Sequence, residues 1–135
     1  MVIELFTLCD AATESGGKLN ILGAFDVLWA RDVPVIHQLC VVVVRFRFNR
    51  EERGQHAMRI TIVNADGVSM MPPLDGEMNV QFPDELSSGV ANVIVQIQDM
   101  RFNQFGDYSV DIGLDGYHQK SLPLMVRRTP AFEGR

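Results

Sequence analysis

The 135-residue chain reads as an all-β protein, an antiparallel β-sandwich of about eight or nine strands in an immunoglobulin-like or Greek-key arrangement. Three observations predict this class. Apolar residues recur with period two along most of the chain, the side-chain period of a strand with one buried face. Turn dipeptides punctuate those stretches. No segment of about ten residues or more carries an amphipathic helical face.

The elements follow in chain order. Val2 to Cys9 alternates weakly and reads as a first strand, closed off by Ser15-Gly16-Gly17. From Lys18 to Trp29 the odd positions Leu19, Ile21, Phe25, Val27 and Trp29 are apolar, while Lys18, Asn20 and Asp26 fall on the other side. One strand is therefore expected there, with Trp29 continuing its inward side. Leu39-Cys40-Val41-Val42-Val43-Val44 is apolar on both sides, as suits a central strand covered twice. Beyond it Phe46 and Phe48 continue one face, and Arg45 and Arg47 open the other to solvent.

Asn49 to Gly54 is a polar connection, and His56 to Asn64 alternates again through Met58, Ile60 and Ile62. Asp66-Gly67 marks a turn, and Met71-Pro72-Pro73 a stop, because proline cannot donate to a ladder. Met78, Val80 and Phe82 form the next inward set, and Pro83 to Gly89 has room for one helical turn capped by Asp84. Ala91, Val93, Val95 and Ile97 alternate with polar residues, as do Tyr108, Val110, Ile112 and Leu114. Asp115-Gly116 then predicts a tight hairpin, since both central residues of that turn need positive φ. A single domain is expected over residues 1–128, with a flexible tail over 129–135.

Composition narrows the function classes. With 47% hydrophobic residues the chain can bury a core, which excludes intrinsic disorder. Twelve Lys and Arg against 17 Asp and Glu give a net charge of −5, an unfavourable balance for nucleic acid. The opening residues carry no basic segment, and the longest apolar run is far short of a membrane span, so a soluble cytoplasmic protein with no membrane partner is expected. Cys9 and Cys40 sit inside apolar runs without metal-ligand spacing and read as free buried thiols.

Two stretches resemble known families. Thr7-Leu8-Cys9-Asp10-Ala11-Ala12, followed by Gly17-Lys18-Leu19-Asn20-Ile21-Leu22-Gly23-Ala24-Phe25, resembles the D-x-A…G-K-L-N-I-x-G-x-F opening of a family of small bacterial proteins of unknown function. The likeness runs from about residue 5 to 127. It implies a bacterial cytoplasmic β-sandwich and brings no activity with it. The ending, Phe105-Gly106-Asp107-Tyr108 and onward, is similar to the last hairpin of immunoglobulin-like sandwiches. That similarity implies a packed Tyr108 whose hydroxyl reaches nearby backbone.

No catalytic set stands out. His37, His56 and His118 lack metal-ligand spacing, and no serine lies in a G-x-S-x-G setting. Gly16-Gly17-Lys18 lacks the rest of a phosphate loop. Asp107, Asp111 and Asp115 share one strand face but span roughly 26 Å, too far for one calcium ion. Arg45, Arg47 and Arg59 would form one basic patch if their strands made a hairpin, which would suit an anion or a partner surface. Met70-Met71-Pro72-Pro73 is a candidate contact loop that could instead fold back over the end of the sandwich. The expected function is a non-catalytic interaction or assembly module acting through a protein partner or self-association, with no cofactor. The alternative is a binding protein for a small anionic ligand or calcium at a sandwich face or rim.

Overall fold

The computed structural model describes residues 1–130 of the chain. They form ten strands: β1 (Val2–Cys9), β2 (Ala11–Ser15), β3 (Lys18–Leu22), β4 (Val27–Ala30), β5 (Val35–Asn49), β6 (Gly54–Val63), β7 (Leu74–Val80), β8 (Ser88–Phe102), β9 (Gly106–Leu114) and β10 (Tyr117–Arg128). The protein is thus all-β, as period two predicts. β1, β5 and β8 make a three-stranded sheet in the order β1-β5-β8, and five strands make a second in the order β4-β10-β9-β6-β7. Among the described residues β2 and β3 pair only with each other. The pairing is antiparallel except where β4 runs parallel to β10.

The strand count exceeds the expected eight or nine for two local reasons, the first being that Ala11–Ser15 pairs with β3 as a strand of its own. The second is that the Lys18–Trp29 run is two strands belonging to different sheets. Gly23 breaks it at φ +70°, a left-handed conformation, and the Asp10 carboxylate lies where a Cβ would project. The break resets the alternation. Ala30 is buried, Leu28 packs on the core, and Trp29 points outward at 56% exposure instead of inward.

β5 organises the packing. Its even residues Cys40, Val42, Val44, Phe46 and Phe48 join Met58, Ile60, Ile62, Val110, Ile112, Leu124 and Val126 of the five-stranded sheet in one core. Its odd residues Val41 and Val43 face the other way, into a second buried cluster with Cys9. Leu19 and Ile21 of the β2-β3 hairpin close that cluster from outside. The twice-covered run is therefore covered by the chain's own hairpin, while Arg45 and Arg47 are only half-buried and Leu39 is exposed. Cys9 and Cys40 are free thiols on opposite sides of this sheet. Burial pushes the Cys40 thiol up to about 12.

The connections carry their own chemistry. Asn49 caps a 3₁₀ turn, Arg50–Glu52, by accepting from the Glu52 amide while the Glu52 carboxylate accepts from the Asn49 amide. Tyr108 is buried against Phe102, ring edge to face, and donates its hydroxyl to the Gln104 carbonyl at 2.6 Å, the packed tyrosine that the ending implies. Asp115 (φ +53°) and Gly116 (φ +84°) make the β9-β10 turn. Pro83 to Gly89 holds a turn closed by the Leu86 amide on the Pro83 carbonyl, not a helix. Most of the expected tail, residues 131–135, lies outside the described residues.

Candidate functional site

The three arginines of the expected basic patch fall on two sheets. β5 and β6 do not pair, because β5 lies between β1 and β8 while β6 lies between β9 and β7. Arg45 and Arg47, two apart on β5, share the Glu4 carboxylate, with Nε to oxygen distances of 3.0 Å and 2.6 Å. Their other nitrogens donate to Asn92 and Ser88 of β8, so the pair staples the three-stranded sheet across its outer face. Hydrogen bonds from Arg47 and then Arg45 hold the Glu4 carboxyl below the usual range. Arg59, on the other sheet, grips Asp75 through two parallel bonds of 2.7 Å and 3.0 Å. That contact lowers the Asp75 carboxyl in turn.

The acidic strand β9 is also engaged locally. Asp107 bonds Arg127, Asp111 accepts from Ser109, and Asp115 bonds both His56 and the Ala57 amide. Among the described residues no three His, Cys, Asp or Glu side chains converge as a metal would need. His56 is set apart by its partners. Its Nε2 meets the Glu52 carbonyl at 2.5 Å and its Nδ1 the Asp115 carboxylate at 2.6 Å, while the ring stacks on Phe48. Two acceptors on two ring nitrogens favour the imidazolium, so the Glu52 carbonyl first and Asp115 second raise its pKa.

A half-open hollow of about 540 Å³ lies on the outer face of the five-stranded sheet, bordered by Arg59, Thr61, Asp111, Tyr117 and His118. Register explains it: Arg59 and His118 both sit opposite Gly113, which has no side chain to fill the row between them. Met70 and Met71 are half-buried and pack on the core, and Pro72 and Pro73 are exposed beside them. The loop thus folds back, with its two methionines against β8 residues Ile97 to Arg101 around a smaller hollow.

The least expected feature is the outer edge of β8. This strand bonds β5 along its whole length, and among the described residues no backbone pairs with its other side. From Ser88 to Gln98 it holds no charge and no proline. Its core-facing residues Val93 and Val95 are only half-buried, although their partners Val44 and Val42 are fully buried. The other open edges are guarded. β7 is short, bears Asp75 and Glu77 and follows Pro72-Pro73. β1 bulges near Glu4, and the Phe25 amide closes its far end at the Leu8 carbonyl. The open part of β10 has Lys120, Pro123 and a register shift. β4 has four residues, and the open start of β5 has six behind Pro34. The uncharged stretch is visible in the sequence, but alternation cannot say which strand ends a sheet.

No helix among the described residues is long and apolar enough to cross a membrane. A family model described as "Family of unknown function (DUF6941)" matches residues 4–127. No curated protein matches the chain.

Proposed function

The chain belongs to this family of unknown function, and we propose that it is a non-catalytic interaction module that takes an extended polypeptide as an added strand beside β8. The carrying observation is the unguarded β8 edge. Natural sheets blunt their edges with charge, proline, bulges or brevity, and β8 has none of these from Ser88 to Gln98 where the other edges do. Strand addition would satisfy the outward amides and carbonyls and cover Val93 and Val95. The resemblance of the opening supports a bacterial cytoplasmic setting, and two sheets around one core support a sandwich of immunoglobulin-like or Greek-key type. The test is binding of a synthetic peptide with the sequence of residues 88–98, flanked by lysines for solubility. Binding is expected, together with its loss when the peptide's central Val is replaced by Pro. Equal binding of both peptides, or of neither, overturns the reading.

A second reading rests on the hollow beside Arg59, which would suit a small anionic ligand that competes with Asp75 for the guanidinium. Titration with inorganic phosphate followed by calorimetry tests it. Heat that disappears in Arg59→Gln supports a site there, and no heat with the unmodified protein removes it. The Met70-Met71-Pro72-Pro73 loop borders β8 and would form the rim of the strand-addition surface.

A further inference from the structure

We propose that the strand received by β8 is β8 of a second copy of this chain, joined antiparallel about a two-fold axis at Val93. The inference rests on the strand-addition reading and names its occupant. Three observations select a copy of the same strand. First, the eleven open residues are uncharged, so two copies can approach without repulsion. A charged edge such as β7, with Asp75 and Glu77, would oppose its own image.

Second, the faces match. In β8 the odd residues Ala91, Val93, Val95 and Ile97 lie opposite core-facing residues of β5, and the even residues Val90, Asn92, Ile94 and Gln96 lie opposite outward ones. A two-fold axis normal to the sheet keeps each face on its own side only if facing residues have the same parity. An axis at Val93 meets this condition and uses the whole open stretch. It sets Val93 against its own image, Val95 against Ala91, Ile94 against Asn92 and Gln96 against Val90. The half-buried Val93 and Val95 then complete the core of a continuous six-stranded sheet, β1-β5-β8-β8-β5-β1.

Third, the stretch has natural ends. Asp99 adopts φ +54° and turns the alternation over, so that Met100 and Phe102 face inward after Ile97. Beyond it Arg101 is charged and exposed. At the other end Phe82 lies over Gly89, where a Cβ would collide with the ring, so the inner side of β8 is already closed there. Pairing is therefore confined to the middle and closes at two chains, because a two-fold contact uses the same edge on both.

Sedimentation equilibrium over a concentration series tests the proposal, and a charge-swap tests its register. The unmodified chain is expected to be a dimer. Val90→Glu with Gln96→Glu places two like-charged pairs across the axis. The carboxylate introduced at position 90 still lies beside Arg47 of its own chain, so folding is spared. That variant should weaken association by about tenfold or more. Val90→Glu with Gln96→Lys turns both pairs into attractive ones and should restore the dimer. Failure of the second variant to restore it, with both variants melting as cooperatively as the parent, overturns the register. A chain that stays monomeric in the hundred-micromolar range yet binds the residue 88–98 peptide overturns the second copy and leaves strand addition standing. If neither association nor peptide binding occurs, both fall. Open filaments in place of a dimer would also overturn the two-fold arrangement.

Discussion

His56 holds the connection after β5 to the β9-β10 turn, and its effect on stability has a definite sign. Its folded pKa is raised above the ordinary 6.5 by the Glu52 carbonyl and by Asp115. The stabilisation is therefore complete below pH 6.5 and is lost as pH rises through the folded value. Asp115 moves the other way, lowered by His56 and by the Ala57 amide, so its share is complete above its ordinary 3.8 and is lost on acidification. Denaturant midpoints of the parent and His56→Gln should thus lie furthest apart between those two values and draw together as pH rises through the folded His56 value. A gap that widens with rising pH would contradict the assignment. Asp99 is the other residue under local constraint, since φ +54° is unfavourable for a side chain with a Cβ. Asp99→Gly should leave stability unchanged or raise it by up to about 1 kcal/mol, and Asp99→Val should lower it by about 1–2 kcal/mol, by urea unfolding. Neither feature is legible in the sequence. His56 reads there as an ordinary strand-end histidine, because its partners are four and 59 residues away in the chain.

At the scale of single elements, the β2-β3 hairpin decides whether β5 is open or closed on its outer side. If the hairpin keeps Val43 dry, Val43→Thr, which exchanges a methyl for a hydroxyl at nearly constant volume, should cost about 1–3 kcal/mol. The same exchange at half-buried Val90 should cost far less, and equal costs would mean the hairpin admits water. The β8-β9 corner depends on Tyr108. Tyr108→Phe removes the bond to Gln104 and should cost about 1 kcal/mol while the ring packing on Phe102 persists. The corner is foreseeable because a Phe-Gly-Asp-Tyr sequence sets the turn and the tyrosine close together in the chain. The split of Lys18–Trp29 into β3 and β4 is harder to see. Alternation continues through Gly23 as written, and only the approach of Asp10 shows that the backbone turns there.

In the whole molecule, the two sheets isolate their charges from each other. Arg47 and Arg59 lie on the outer faces of different sheets with the core between them. Replacing each by Met should give stability changes that add within about 0.5 kcal/mol in the double variant. A larger coupling would place them in one patch after all. The −5 net charge is spread in the same way, with Asp107, Asp115 and Asp75 each held by its own basic neighbour. The order of residues alone was enough for the class of element, the inward residues of most strands, the doubly covered middle of β5 and the turn at Asp115-Gly116. These follow from neighbours along the chain, where side-chain period and backbone preference act. It took the folded arrangement to part β5 and β6 into different sheets, to close β5 from outside with a hairpin, and to leave β8 ending its sheet with an open edge. Sheet order joins residues tens of positions apart, and local alternation is the same for a strand at the centre of a sheet as for one at its edge.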